Sequence, residues 1–258
     1  MRPAFLLLAT ILLQQADIDS TVAKGLKIDD EARKKIEAKG KDQKEVLALL
    51  LDPKVWAEGV KRIDAKLGLW TGTFEIDVKF GSFGKNTPAW GDGKNGKGKV
   101  EIDADVLAEY YKKAKDYAKQ VKSGAQVVVP PARMDGIIWH ELTHCFVTGK
   151  VPDWYGEGIC TYVAGDPHFV AFLRQQKQEV KEIDAEIDFK YTYGRGWAFF
   201  EWMEAKQGVE KVKKFVALVA GGKTPAEAAA EVTGLAWEKV KSDECAWSKK
   251  WITDLSVK

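Results

Sequence analysis

This chain has almost no net charge to offer a polyanion: 40 lysines and arginines face 38 aspartates and glutamates, leaving +2. That balance removes any global electrostatic case for nucleic acid or an anionic membrane as a partner. Beyond its N-terminal stretch the chain has no apolar run of transmembrane length, so the mature protein is expected to be soluble. No internal repeat or low-complexity linker divides it, and nothing in 258 residues demands two domains. Histidine and cysteine are scarce, at three each. In an exported chain, Cys145–Cys160 and Cys160–Cys245 are both allowed pairings, with three buried free thiols as the alternative.

What is present starts with Met1-Arg2-Pro3, followed by an apolar stretch from Ala4 to Leu13. A single positive charge ahead of about ten apolar residues predicts a secretory signal peptide, residues 1–16, with cleavage after Ala16. The other reading of the stretch is a buried N-terminal helix. No cysteine follows it, so a lipid anchor is not indicated, and the expected location is secreted or periplasmic.

Two of the three histidines fall in Gly136-Ile137-Ile138-Trp139-His140-Glu141-Leu142-Thr143-His144-Cys145-Phe146. The apolar residues predict a buried helix, on which His140 and His144 lie one turn apart and can grip one metal ion from the same side. Glu141 flanks that face and can reach a metal-activated water without being a ligand. This is the donor set of zinc-dependent hydrolysis, with two neutral imidazoles on Zn²⁺ and a carboxylate as general base. Cys145 points about 100° away from His144 on the helix, which argues against a cysteine ligand.

Around this helix the pattern predicts an α+β chain. Residues 17–68 read as a helical lead-in, polar and loosely packed over 17–42, with helices capped near Asp42 and opened by Pro53. Thr73–Phe80 alternates as a strand; Gly91–Gly98 reads as a hairpin-like loop and departs from a phosphate-binding loop at Gly98. Val100–Ile102 resumes a strand, Asp103 or Asp105 caps a helix to Lys122, and Gln126–Val129 is a further strand. The C-terminal third reads as helices, one started by Thr224-Pro225-Ala226-Glu227, and Trp237, Trp247 and Trp251 read as core rather than a sugar platform.

A catalytic zinc takes three protein ligands. Gly149 and Pro152 turn the chain, and a second helix from Pro152 offers Glu157, thirteen residues after His144, as the third ligand. Asp153 is the rival carboxylate, better suited to the helix N-terminal dipole. Thr161, one turn beyond Glu157, can support a ligand by a hydrogen bond. A three-histidine centre would need histidine where Lys150 stands, so His168 reads as a surface or cleft residue.

His140-Glu141-Leu142-Thr143-His144 followed by Trp154-Tyr155-Gly156-Glu157-Gly158-Ile159 resembles the gluzincin zinc metallopeptidases, and within them the peptidase MA-like and basic secretory protein families. Tyr162 falls where that pattern has a tyrosine, and Tyr193–Trp202 resembles the families' downstream helix. Thr161 departs from the pattern, since some relatives carry an acid there. The resemblance implies a zincin-like domain over residues 69–258 that hydrolyses a peptide or protein substrate as a monomer. Glu141 would be the general base, and Tyr193, or alternatively Tyr191, the donor to the oxyanion. A non-peptide amide such as cell-wall material, and an inactive metallopeptidase-like binding protein, are the competing readings.

Overall fold

The structure, a computed structural model, describes residues 17–82, 87–123, 130–147, 150–175, 177, 179–184 and 189–254. The expected signal peptide and the strand expected at Gln126–Val129 lie outside these residues, as does Gly149. Among them the chain is α+β, with twelve helices and one small mixed sheet. No described helix is long and apolar enough to cross a membrane.

The lead-in is better built than its polar sequence suggests. Helix α1 (17–25) buries Ile18 and Val22, and β1 (Leu26–Ile28) then joins the sheet in parallel with β2 (Glu75–Phe80). Three residues are too few to show an alternating pattern, so β1 is invisible to periodicity. Helices α2 (Asp30–Glu37), α3 (Lys41–Leu51) and α4 (Pro53–Leu67) lie between the two strands. Gly40, not Asp42, sits at the start of α3, while the Asp52 side chain caps α4 by accepting from the Lys54 amide.

The glycine-rich stretch expected as a hairpin-like loop is a β-hairpin whose strands take in most of its glycines. Strands β3 (Ala89–Lys94) and β4 (Lys97–Ile102) pair antiparallel through the two-residue turn Asn95-Gly96, both at positive φ (53° and 78°). That is the preferred geometry for a tight hairpin, and Asn-Gly is its usual sequence. Glycines at 91, 93 and 98 carry no side chain to alternate, which hid the strands from pattern reading. The sheet order is β1-β2-β4-β3, with β3 on an edge.

Asp103 caps α5 (Ala104–Lys122) by accepting from the amides of Asp105 and Val106. Helix α6 (Met134–His144) follows and is the centre of the molecule, touching β3, α4 and α7 (Asp153–Ala164). Eight of its eleven residues are buried. Edge strand β3 can lie this close to α6 only because Gly91 has no Cβ, which would fall 2.0 Å from the Glu141 carbonyl oxygen. After α8 (His168–Gln175), α9 (Phe189–Gln207) packs on α7 at a glycine crossing. A Cβ on Gly196 would meet the Trp154 carbonyl oxygen at 2.0 Å.

Helices α10 (Val209–Ala220), α11 (Pro225–Thr233) and α12 (Trp237–Asp254) complete the fold. Thr224 and Glu227 form a reciprocal capping box at α11. The guanidinium of Arg195 on α9 forks onto Glu244 on α12; both are buried, and Ser248 Oγ donates to the same carboxylate at 2.5 Å. Trp237, Trp247 and Trp251 are partly buried against the core.

Candidate metal centre

Helices α6 and α7 bring the predicted donors together. His140 and His144 project from one face of α6, with ring centroids 5.1 Å apart. On α7, Glu157 Oε2 lies 3.0 Å from His140 Nε2 and 3.6 Å from His144 Nε2. Donors bound tetrahedrally at about 2.0–2.2 Å from Zn²⁺ stand about 3.3–3.6 Å from one another, so one separation falls just short of the spacing such an ion requires and the other matches it. Asp153, the rival carboxylate, is exposed in the first turn of α7, where it complements the helix dipole.

Thr161 determines which nitrogen of His140 is available. Its hydroxyl donates to the Glu157 carbonyl oxygen at 2.8 Å, one turn back, and its oxygen lies 3.4 Å from His140 Nδ1. A hydroxyl has a single proton, so Nδ1 must be the donor in that second contact. Nε2 then presents a lone pair to the Glu157 carboxylate. Two acceptors 3.0 Å apart repel unless a proton or a metal cation lies between them. The donor chemistry therefore fits a divalent ion.

The fold corrects the exclusion of a cysteine ligand, which rested on Cys145 alone. Cys160 lies three residues beyond Glu157 on α7, and its Sγ joins ligand atoms of His140 and His144 in a group mutually within 4.8 Å. This largely buried group could hold a metal ion. The i,i+3 spacing from Glu157 was the available signal, but it acquires meaning only once α7 is known to face α6. None of Cys145, Cys160 and Cys245 is in a disulfide, and all three are buried.

Charge is concentrated in this centre. Burial opposes ionisation of Glu157, but the His140 and His144 rings against it prevail and hold it down to about 2. Burial likewise opposes a charged His144, but the Glu157 and Glu141 carboxylates beside it prevail and raise its pKa. Burial keeps Cys160 a thiol, moving it up to about 11. The metal-free centre thus holds a carboxylate against an imidazolium, which a metal would replace with a release of protons.

Beside His140 opens a cleft of about 230 Å³, lined among others by Ile137, His140, Glu141, His168, Phe169 and Tyr193. Tyr193 stacks on Phe169 at 5.0 Å and lies 5.5 Å from the His140 ring. Burial and the nearby Glu157 and Glu141 carboxylates raise its pKa and keep it a donor. Tyr191 is buried against Phe172 at 5.9 Å and does not line the cleft. His168 does line it, held through Nδ1 by the Pro130 carbonyl oxygen at 2.7 Å and through its backbone amide by Asp166. Tyr162 lies elsewhere, fully buried and donating to Glu204 at 2.5 Å.

Comparison with protein-family models, curated proteins and solved structures finds no match for this chain.

Proposed function

We propose that this protein is a zinc-dependent metallopeptidase of the gluzincin type, holding Zn²⁺ through His140, His144 and Glu157. The observation that carries the reading is a single carboxylate oxygen within 3.0 and 3.6 Å of two imidazole Nε2 atoms, beside a cleft lined by Glu141 and Tyr193. When bound, the metal supplies Lewis acidity to polarise a carbonyl and to acidify water.

The chain's own residues supply the rest. Glu141, on the cleft wall next to His140, takes the proton of the attacking water and returns it to the leaving amine. Tyr193, on the cleft wall with its proton held by burial and by the nearby carboxylates, donates to the substrate oxyanion. Thr161 keeps His140 in the tautomer a metal needs. Aromatic and aliphatic walls from Ile137, Phe169 and Tyr110 exclude water and favour an apolar side chain beside the scissile bond. Export through residues 1–16 belongs to the same reading, and N-terminal sequencing of the mature protein tests it.

The deciding experiment pairs metal analysis of the purified protein with digestion of a peptide library. Stoichiometric zinc with cleavage supports a peptidase. Zinc without peptide cleavage directs the search to other amides, and protein lacking zinc after careful handling refutes the assignment.

A further inference from the structure

Glu157 and Cys160 occupy one face of α7, three residues apart, as His140 and His144 occupy one face of α6, four apart. Side chains at these spacings are neighbours on a helix surface, so each helix can present a pair of donors to its partner. Glu157 Oε2 is within 3.6 Å of both imidazole Nε2 atoms. Cys160 Sγ and donor atoms of the same two histidines lie within 4.8 Å of one another, a set that does not include Glu157. The thiol is buried and outside any disulfide.

We infer that Cys160 is a fourth protein ligand, so that the resting centre is a closed His₂-Glu-Cys site for a thiophilic divalent cation, Zn²⁺ before Mg²⁺ or Ca²⁺. The inference rests on the metal assignment above and adds the thiolate to it. Binding converts the Cys160 S–H to a sulfur–metal bond, and the proton leaves to solvent. Soft sulfur selects zinc over hard cations. Two anionic ligands, Glu157 and Cys160, cancel the charge of a divalent ion and weaken its pull on a water molecule. Four protein ligands are the mark of a structural site, whereas catalytic zinc keeps a position open. Turnover then requires the Cys160 sulfur to give way or the shell to expand.

X-ray absorption at the zinc edge of the full-length zinc-loaded protein tests this without any substitution. The expected shell contains one sulfur at about 2.3 Å alongside nitrogen and oxygen at about 2.0–2.2 Å. Cobalt-loaded protein should show a near-ultraviolet sulfur-to-metal charge-transfer band that Cys160→Ser abolishes and Glu157→Gln retains. Cys160→Ser should lower zinc affinity by more than about a hundredfold, the upper end for losing a residue that merely supports a ligand. Bound zinc with a nitrogen–oxygen shell and no sulfur overturns the thiolate while leaving the His140–His144–Glu157 site intact. Protein that binds no zinc overturns both.

Discussion

Replacing Thr161 by valine isolates one hydrogen bond of the metal centre. Valine keeps the shape of this fully buried side chain and deletes the oxygen that faces His140 Nδ1 at 3.4 Å. The imidazole then has no partner to hold its proton on Nδ1, and Nε2 loses its bias toward the metal-binding form. Residues that support a metal-bound histidine typically contribute 10–100-fold in affinity, about 1.4–2.7 kcal/mol at about 1.36 kcal/mol per decade. The 3.4 Å separation is near the outer limit of a hydrogen bond, so the loss belongs at the tenfold end. The assay is competition for Zn²⁺ against a chromogenic chelator, with Thr161→Ser as the variant that keeps the hydroxyl and should bind nearly as wild type. Thermal melts of the metal-free proteins separate folding from binding. Wild-type zinc affinity in Thr161→Val would refute the argument that this hydroxyl sets the tautomer.

Other consequences are as direct. Glu141→Gln should retain full zinc content and lose at least about 100-fold in peptide turnover; turnover near wild type removes Glu141 from proton transfer. Free Zn²⁺ at about 100 times its dissociation constant should add about 2.7 kcal/mol of stability, reversed by a chelator, and an unmoved melting temperature would count against any metal site. Glu244→Ala strands the buried Arg195 guanidinium and should cost about 3–5 kcal/mol in urea unfolding, whereas Arg195→Met with Glu244→Leu should recover much of it. Gly196→Ala drives a methyl against the Trp154 carbonyl and Gly158 Cα, backbone atoms that cannot rotate away, and should cost about 1–3 kcal/mol or more by the same measurement.

Features set by neighbours in sequence were legible. The Thr224–Glu227 capping box, the Asp103 cap of α5 and the Pro53 start of α4 all form where local chemistry places them. Each involves groups within four residues, so the chain states it directly. The sheet was less legible. Strand β1 is three residues long and is held by parallel pairing to Leu26–Ile28 partners about fifty residues away, at Ile76–Val78. The β3–β4 hairpin announced itself only through Asn95-Gly96, because its glycines leave no alternating pattern.

The same division runs through the candidate site. By itself the sequence determined that His140 and His144 share a helix face and that Glu141 stands beside them, because i,i+4 spacing on a helix leaves no other outcome. Which groups meet that face was decided by tertiary packing alone. The close approaches at Gly91 and at Gly158–Gly196 set β3, α6, α7 and α9 against one another, and that placement turns Glu157, Cys160 and Tyr193 toward the histidines while leaving Asp153 in solvent. Convergence of side chains from separate helices depends on the distance and angle between the helix axes, quantities that no stretch of a dozen residues encodes.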